Sequence, residues 1–94
     1  MAHRVQHNAD RTRYELFVDG ELAGIADYRL TPDGVVVFPH TEIARDRRGH
    51  GLGAELVRAA LDDVRASGRT VEARCWFVAQ FIDEHPEYQQ LLAA

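Results

Sequence analysis

Lysine is absent: all eleven basic residues among the 94 are arginine. No motif that ends on a lysine, the Gly-Lys-Ser/Thr phosphate loop above all, can be built from this chain. Cysteine is nearly absent too. Cys75 stands alone, so no internal disulfide forms, which fits a reducing cytoplasm. Apolar runs are short, far below the roughly 20 residues that a membrane-spanning helix needs. The opening Met1–Asn8 lacks the apolar stretch of a signal peptide. A cytoplasmic chain that engages no membrane is expected. Nor is there a basic excess: fifteen acidic residues against eleven basic ones give a net charge of −4, which argues against general nucleic-acid binding. The five histidines lack metal-ligand spacing and Cys75 has no paired cysteine, so no metal is expected.

What remains is an ordinary globular composition, 46% hydrophobic and 28% charged. The length suits one domain spanning 1–94, at the small end of what folds unaided. Residues 1–11 are polar and without pattern, and are expected to be frayed. From Thr12 the pattern is that of strands. Tyr14, Leu16 and Val18 alternate with polar positions, and Asp19-Gly20 signals a two-residue hairpin turn. The next run puts Leu22, Gly24, Ala26, Tyr28 and Leu30 on one face, with Ile25 opposite. Thr31-Pro32-Asp33-Gly34 is a turn. Val35–Phe38 is continuously apolar, as a central strand buried on both faces should be. That strand is extended through Ile43, with Pro39 marking a bulge. Three antiparallel strands in a meander are expected.

A loop over 44–50 leads to a helix. Gly53, Leu56, Val57, Ala60, Leu61 and Val64 recur at spacings of 3, 1, 3, 1 and 3, one apolar stripe at helical period. Ser67-Gly68 ends the helix. Thr70–Trp76 reads as a strand parallel to the one before the helix, reached by a right-handed crossover. Phe77–His85 reads as a short helix stopped by Pro86, with Tyr88, Leu91 and Leu92 packed against it. Trp76, Phe77 and Phe81 read as core residues. The fold class is therefore α+β, a meander followed by a βαβ crossover and a short C-terminal helix.

The loop holds the chemistry. Gly49, Gly51 and Gly53 alternate at the entrance to the helix, with Arg45, Arg47 and Arg48 just before them. Glycines let a backbone approach an anion closely, and the first amides of a helix have no internal partner. The helix dipole and the arginines add positive charge, so the site suits a pyrophosphate. Gly49-His50-Gly51-Leu52-Gly53-Ala54 also matches G-x-G-x-x-A, the dinucleotide fingerprint. That match fails in context, because the charged stretch 44–48 separates the first glycine from its strand. Glu72, the acid about twenty residues on, also stands at the start of a strand and not at its end.

The pattern that fits is Q/R-x-x-G-x-G/A, read as Arg48-x-x-Gly51-x-Gly53. With its flanking strands and helix, it resembles the acetyl-CoA-binding core of the GNAT N-acetyltransferase superfamily. The run His40–Ile43, then Arg48–Gly53, Cys75, Phe77-Val78, Phe81-Ile82 and His85-Pro86-Glu87-Tyr88 narrows the resemblance to the small, single-domain GNAT-like subfamily. It covers about Tyr14 to Leu92.

The resemblance implies that the strands 35–43 and 70–76 splay apart and admit the pantetheine arm of acetyl-CoA. The backbone of Gly49, His50, Gly51, Leu52, Gly53 and Ala54, with Arg48, would hold the pyrophosphate, and backbone near Glu42 and Ile43 would pair with pantetheine. Glu42 falls where such enzymes place a general base, and His40 shares its face. The alternative is a local hydrogen bond for Glu42 and a packed histidine. Cys75 would lie near the thioester and could take the acetyl group covalently; the alternative is a small buried hydrophobe. Tyr88 matches the His-Pro-Glu-Tyr element, for which core packing is the better account. Larger members wall the acceptor site with two helices ahead of the meander. The stretch before Tyr14 is too short for them, so an open groove is expected, suited to a protein or peptide amine or completed by another subunit. The functions implied are acetyl-CoA-dependent N-acetyltransfer to an amine or, as the alternative, a non-catalytic module that binds CoA and regulates a partner.

Overall fold

The computed structural model describes residues 2–93. One five-stranded sheet runs in the order β1 (His3–Asn8), β2 (Arg13–Val18), β3 (Glu21–Leu30), β4 (Val35–Ile43) and β5 (Thr70–Ala73). The first four strands are antiparallel neighbours and β5 lies parallel to β4. Helix α1 (Leu52–Ala66) makes the crossover, and α2 (Trp76–Glu84) follows β5. A 3-10 segment, Pro86–Leu91, comes after it. The hairpin at Asp19-Gly20 forms as the sequence predicts, with positive φ of 51° and 85° at its two residues. No described helix is long and apolar enough to cross a membrane.

Three expectations need correction. The stretch 1–11 is not patternless: His3–Asn8 is a strand, so the meander has four strands and not three. Its side chains are mostly exposed, which hid it from any search for apolar alternation. Polar ties hold it instead. Ala2 and Asp19 exchange bonds of 2.7 and 2.8 Å, His3 meets Glu55 of α1 at 2.8 Å, and His7 stacks on Tyr14 at 4.6 Å. Leu22 does not share the face of Gly24 and Ala26 and is exposed, whereas Leu30 keeps that face opposite the core residue Val36 and is exposed at the strand's end. Phe17 pairs with Leu22 while Leu16 pairs with Gly24. Ala23 is thus the extra residue of a bulge, which reverses the alternation. Third, β5 ends at Ala73 and does not reach Trp76.

The Pro39 expectation holds. Asp27 pairs with His40 and Arg29 with Val37, so Tyr28 faces the two residues Phe38-Pro39. This bulge is also where β5 stops. The N–H groups of Arg74 and Cys75 both donate to the Phe38 carbonyl, at 3.1 and 2.9 Å, and Pro39 has no N–H to continue the ladder. β4 runs on to Ile43 alone on that side.

The core lies between one sheet face and the two helices. Leu16, Ala26 and Phe38 from the sheet meet Leu56, Val57, Leu61 and Val64 of α1 and Val78 and Ile82 of α2. Full burial of each large apolar side chain contributes roughly 1.5–3 kcal/mol. Tyr88 is buried beside them, and its hydroxyl donates to Asp62 at 2.7 Å. Burial and that hydrogen bond push its pKa up.

The opposite sheet face carries Glu15, buried among its neighbours. Arg13 donates to it at 2.8 Å and Asn8 at 3.2 Å. Burial alone would push the carboxyl up; the hydrogen bonds from Arg13 and Asn8, with the charges of Arg13 and Arg11, outweigh it and hold the pKa below 4.5. A depressed carboxylate stabilises the fold above its ordinary pKa, and that stability is lost as pH falls through the folded value. Glu15→Gln is therefore expected to cost about 1–2 kcal/mol in denaturant unfolding at neutral pH. The gap should shrink on acidification below 4.5. A gap independent of pH would contradict this account.

Candidate functional site

A cleft of about 970 Å³ opens where β4 and β5 part. β4 supplies one wall with Pro39–Ile43, the loop supplies Arg47, Arg48, Gly49 and Gly51, and α1 adds Leu52, Gly53 and Ala54. Arg74, Cys75, Trp76 and the α2 residues Phe77, Gln80 and Phe81 form the other wall.

The β4 wall is built by interrupted pairing. The N–H of Ala44 donates to the Ala23 carbonyl at 2.7 Å. Bonded and non-bonded pairs alternate along an antiparallel ladder, so the backbone groups of Thr41 and Ile43 point away from β3, into the cleft. A side chain answers one of them: Arg48 Nε donates to the Ile43 carbonyl at 3.3 Å.

The loop glycines serve two different ends. Gly51 caps α1 with φ of 73° and open space around it, so only its backbone conformation requires glycine. No side chain caps this helix end, and the first amides of α1 have no intrahelical partner. Gly53 is there for space. A Cβ on it would stand 2.8 Å from the tip of the Phe77 ring, so α2 packs directly on the first turn of α1. His50 is exposed and does not line the cleft.

The three candidate catalytic residues share the cleft but fall into two groups. His40 and Glu42 project from one face of β4, with His40 Nε2 3.4 Å from Glu42 Oε2, and both are largely exposed. His40 is therefore not a packed core histidine. Thr41 projects from the other face, and the Cys75 thiol lies 3.8 Å from its hydroxyl. Cys75 belongs to no strand. It is the N-cap residue of α2 and only partly buried.

Four further residues complete the picture. Tyr88 does not line the cleft, which agrees with core packing. Trp76 is not core: at 73% exposure it stands at the cleft wall, edge-on to Phe77 with centroids 6.0 Å apart. Phe81 is buried as expected. Arg74 was not singled out by any motif; it lines the cleft and is bound to Glu72 at 2.6 Å.

The comparisons with known proteins agree on one assignment. The GCN5-related N-acetyl-transferase pattern matches residues 13–91. Protein NATD1 of Bos taurus is 29% identical over 89 residues, covering 94% of this chain and 79% of that protein. The Homo sapiens protein of the same name is 28% identical over the same shares. Among solved structures, a GCN5-like protein from Staphylococcus aureus superposes with a TM-score of 0.73 at 16% identity, over 97% of this chain and 88% of that one. N-acetylglutamate synthase from Neisseria gonorrhoeae, solved with coenzyme A and N-acetyl-glutamate, superposes with a TM-score of 0.60 at 19% identity, over 78% of this chain and 18% of that one. These two likenesses are of fold alone. The match to the family pattern across nearly the whole described chain carries the conclusion: the chain belongs to the GCN5-related N-acetyltransferase family.

Proposed function

We propose that this protein is an acetyl-CoA-dependent N-acetyltransferase. One observation carries the proposal: a single cleft combines the unpartnered amides of the α1 N-terminus with an opened strand edge on β4. A long ligand with an anionic centre and an amide-bearing arm fits that combination. The backbone amides of Gly49, His50, Gly51, Leu52, Gly53 and Ala54 would hold the pyrophosphate, with Arg48 beside them. Thr41 and Ile43 would offer backbone partners to the arm. His50 contributes only its backbone.

Acetyl-CoA supplies the acetyl group as an activated thioester. The chain must hold the acceptor and take its proton, since an ammonium cannot attack. Glu42 is the carboxylate for that task, and His40, 3.4 Å away, is placed to pass the proton on to solvent. The sheet face that bears them leaves room for an amine on a peptide or protein. Cys75 has Thr41 as its side-chain hydrogen-bond partner, with no histidine or carboxylate beside it among the described contacts. We therefore assign direct attack by the amine, with Cys75 as a wall of the cleft.

Four outcomes follow from this assignment. Coenzyme A at a hundred times its dissociation constant should stabilise the fold by about 2.7 kcal/mol. Gly51→Ala should weaken that stabilisation, because alanine costs about 1–2 kcal/mol in the left-handed conformation of the cap, and relief of that strain turns the first amides of α1 away from the pyrophosphate. Undiminished stabilisation would place the ligand elsewhere. In a thiol-release assay with acetyl-CoA and an amine panel, Glu42→Gln should lower kcat about a hundredfold and leave the KM for acetyl-CoA unchanged. Cys75→Ser should keep full activity, and intact-mass measurement should find no acetyl adduct. An adduct with loss of activity in Cys75→Ser would move the reaction to the covalent route. Tight CoA binding with no thiol release would make the protein a binding module.

A further inference from the structure

Trp76 is the least explained residue of the cleft. It is the chain's single tryptophan, and at 73% exposure the most exposed of the large hydrophobic residues among those described. Neither the core nor the phosphate loop uses it. It opens α2 directly after Cys75 and lines the same cleft as His40 and Glu42.

The charges around it are sorted. Arg47 and Arg48 stand at the loop end of the cleft. At the strand end stands Glu42, which lines the cleft with Trp76. The one arginine there, Arg74, is already bound to Glu72 at 2.6 Å. An exposed indole sharing a cleft with a carboxylate is the chemistry that receives a cation: the ring face attracts it, and Glu42, which His40 meets at 3.4 Å, adds negative charge to the same cleft. The loop end, by contrast, suits an anion.

We propose that Trp76 sets acceptor specificity by seating a positively charged group of the acceptor, beside the amine that reacts. The acceptor is thus an amine that carries a second ammonium or guanidinium group, as a small diamine or a basic peptide does. The inference rests on the acetyltransferase reading of the cleft. Trp76 is a binding residue that touches the acceptor and takes no part in proton transfer.

The test uses matched amines. The KM of putrescine should be lower than that of n-butylamine, and the KM of glycyl-arginine amide lower than that of glycyl-leucine amide; the two pairs tell a small diamine from a peptide. Trp76→Ala should raise the KM of the doubly charged member about tenfold and leave the KM of its singly charged counterpart and the KM for acetyl-CoA unchanged. Trp76→Phe should restore most of the preference. Because the residue is exposed, neither variant threatens the core. Intrinsic fluorescence supplies an equilibrium readout: in CoA-saturated wild type the doubly charged amine should change the emission, at concentrations where n-butylamine does not.

Unchanged discrimination in Trp76→Ala would overturn the proposal, and so would a raised KM for acetyl-CoA, which would assign the indole to the cofactor. If wild type turns over no amine, the acetyltransferase reading fails. The fluorescence titration still decides on Trp76 in that case: a response to the dication supports the seat, and none overturns it.

Discussion

The separation of β4 from β5 is the constraint on which the site depends. Parallel pairing ends where the Phe38 carbonyl takes two donors, from Arg74 and Cys75, and where Pro39 brings no N–H of its own. Beyond that point the backbone of β4 has hydrogen-bonding groups without a strand to meet them. These groups are open to a ligand, and the Arg48 side chain answers one of them at Ile43. The same break turns the chain into α2, which sets Cys75 and Trp76 on the facing wall. One bulge thus opens the cleft and furnishes its far side.

The helix that follows is fitted to the same opening. α1 is anchored by its apolar stripe, buried from Leu52 to Val64, so its N-terminus is held rigidly toward the cleft. Gly51 starts it in a conformation that other residues resist, and Gly53 gives up a side chain so that Phe77 can close on the first turn. The signature spacing therefore records backbone conformation at one glycine and helix packing at the other. β1 braces the arrangement from outside, since His3 reaches Glu55 in the first turn of α1.

Much of this was legible in the sequence, for identifiable reasons. The stripe of α1, the apolar Val35–Phe38 run and the turns at Asp19-Gly20 and Thr31–Gly34 are local patterns, and each formed where predicted. Pro39 foretold its bulge because a missing N–H is a property of the residue itself. β1 was illegible because its stability comes from polar pairing with distant partners and not from burial. Leu22 was misplaced by the bulge at Ala23, and a shift of one residue reverses every face after it. The end of β5 depends on the Phe38 carbonyl of another strand, so Cys75 and Trp76 could not be placed from their own neighbours. The pairing of His40 with Glu42 followed from strand alternation; the exposure of Trp76 did not follow from anything local.

The most direct measurement of the central claim is an amide-resolved NMR titration of the uniformly labelled protein with coenzyme A. The account predicts that the largest shifts fall on Gly49, Gly51–Ala54, Thr41 and Ile43, with smaller ones along α2 near Phe77. Shifts concentrated elsewhere, or no shifts at saturating ligand, would contradict it.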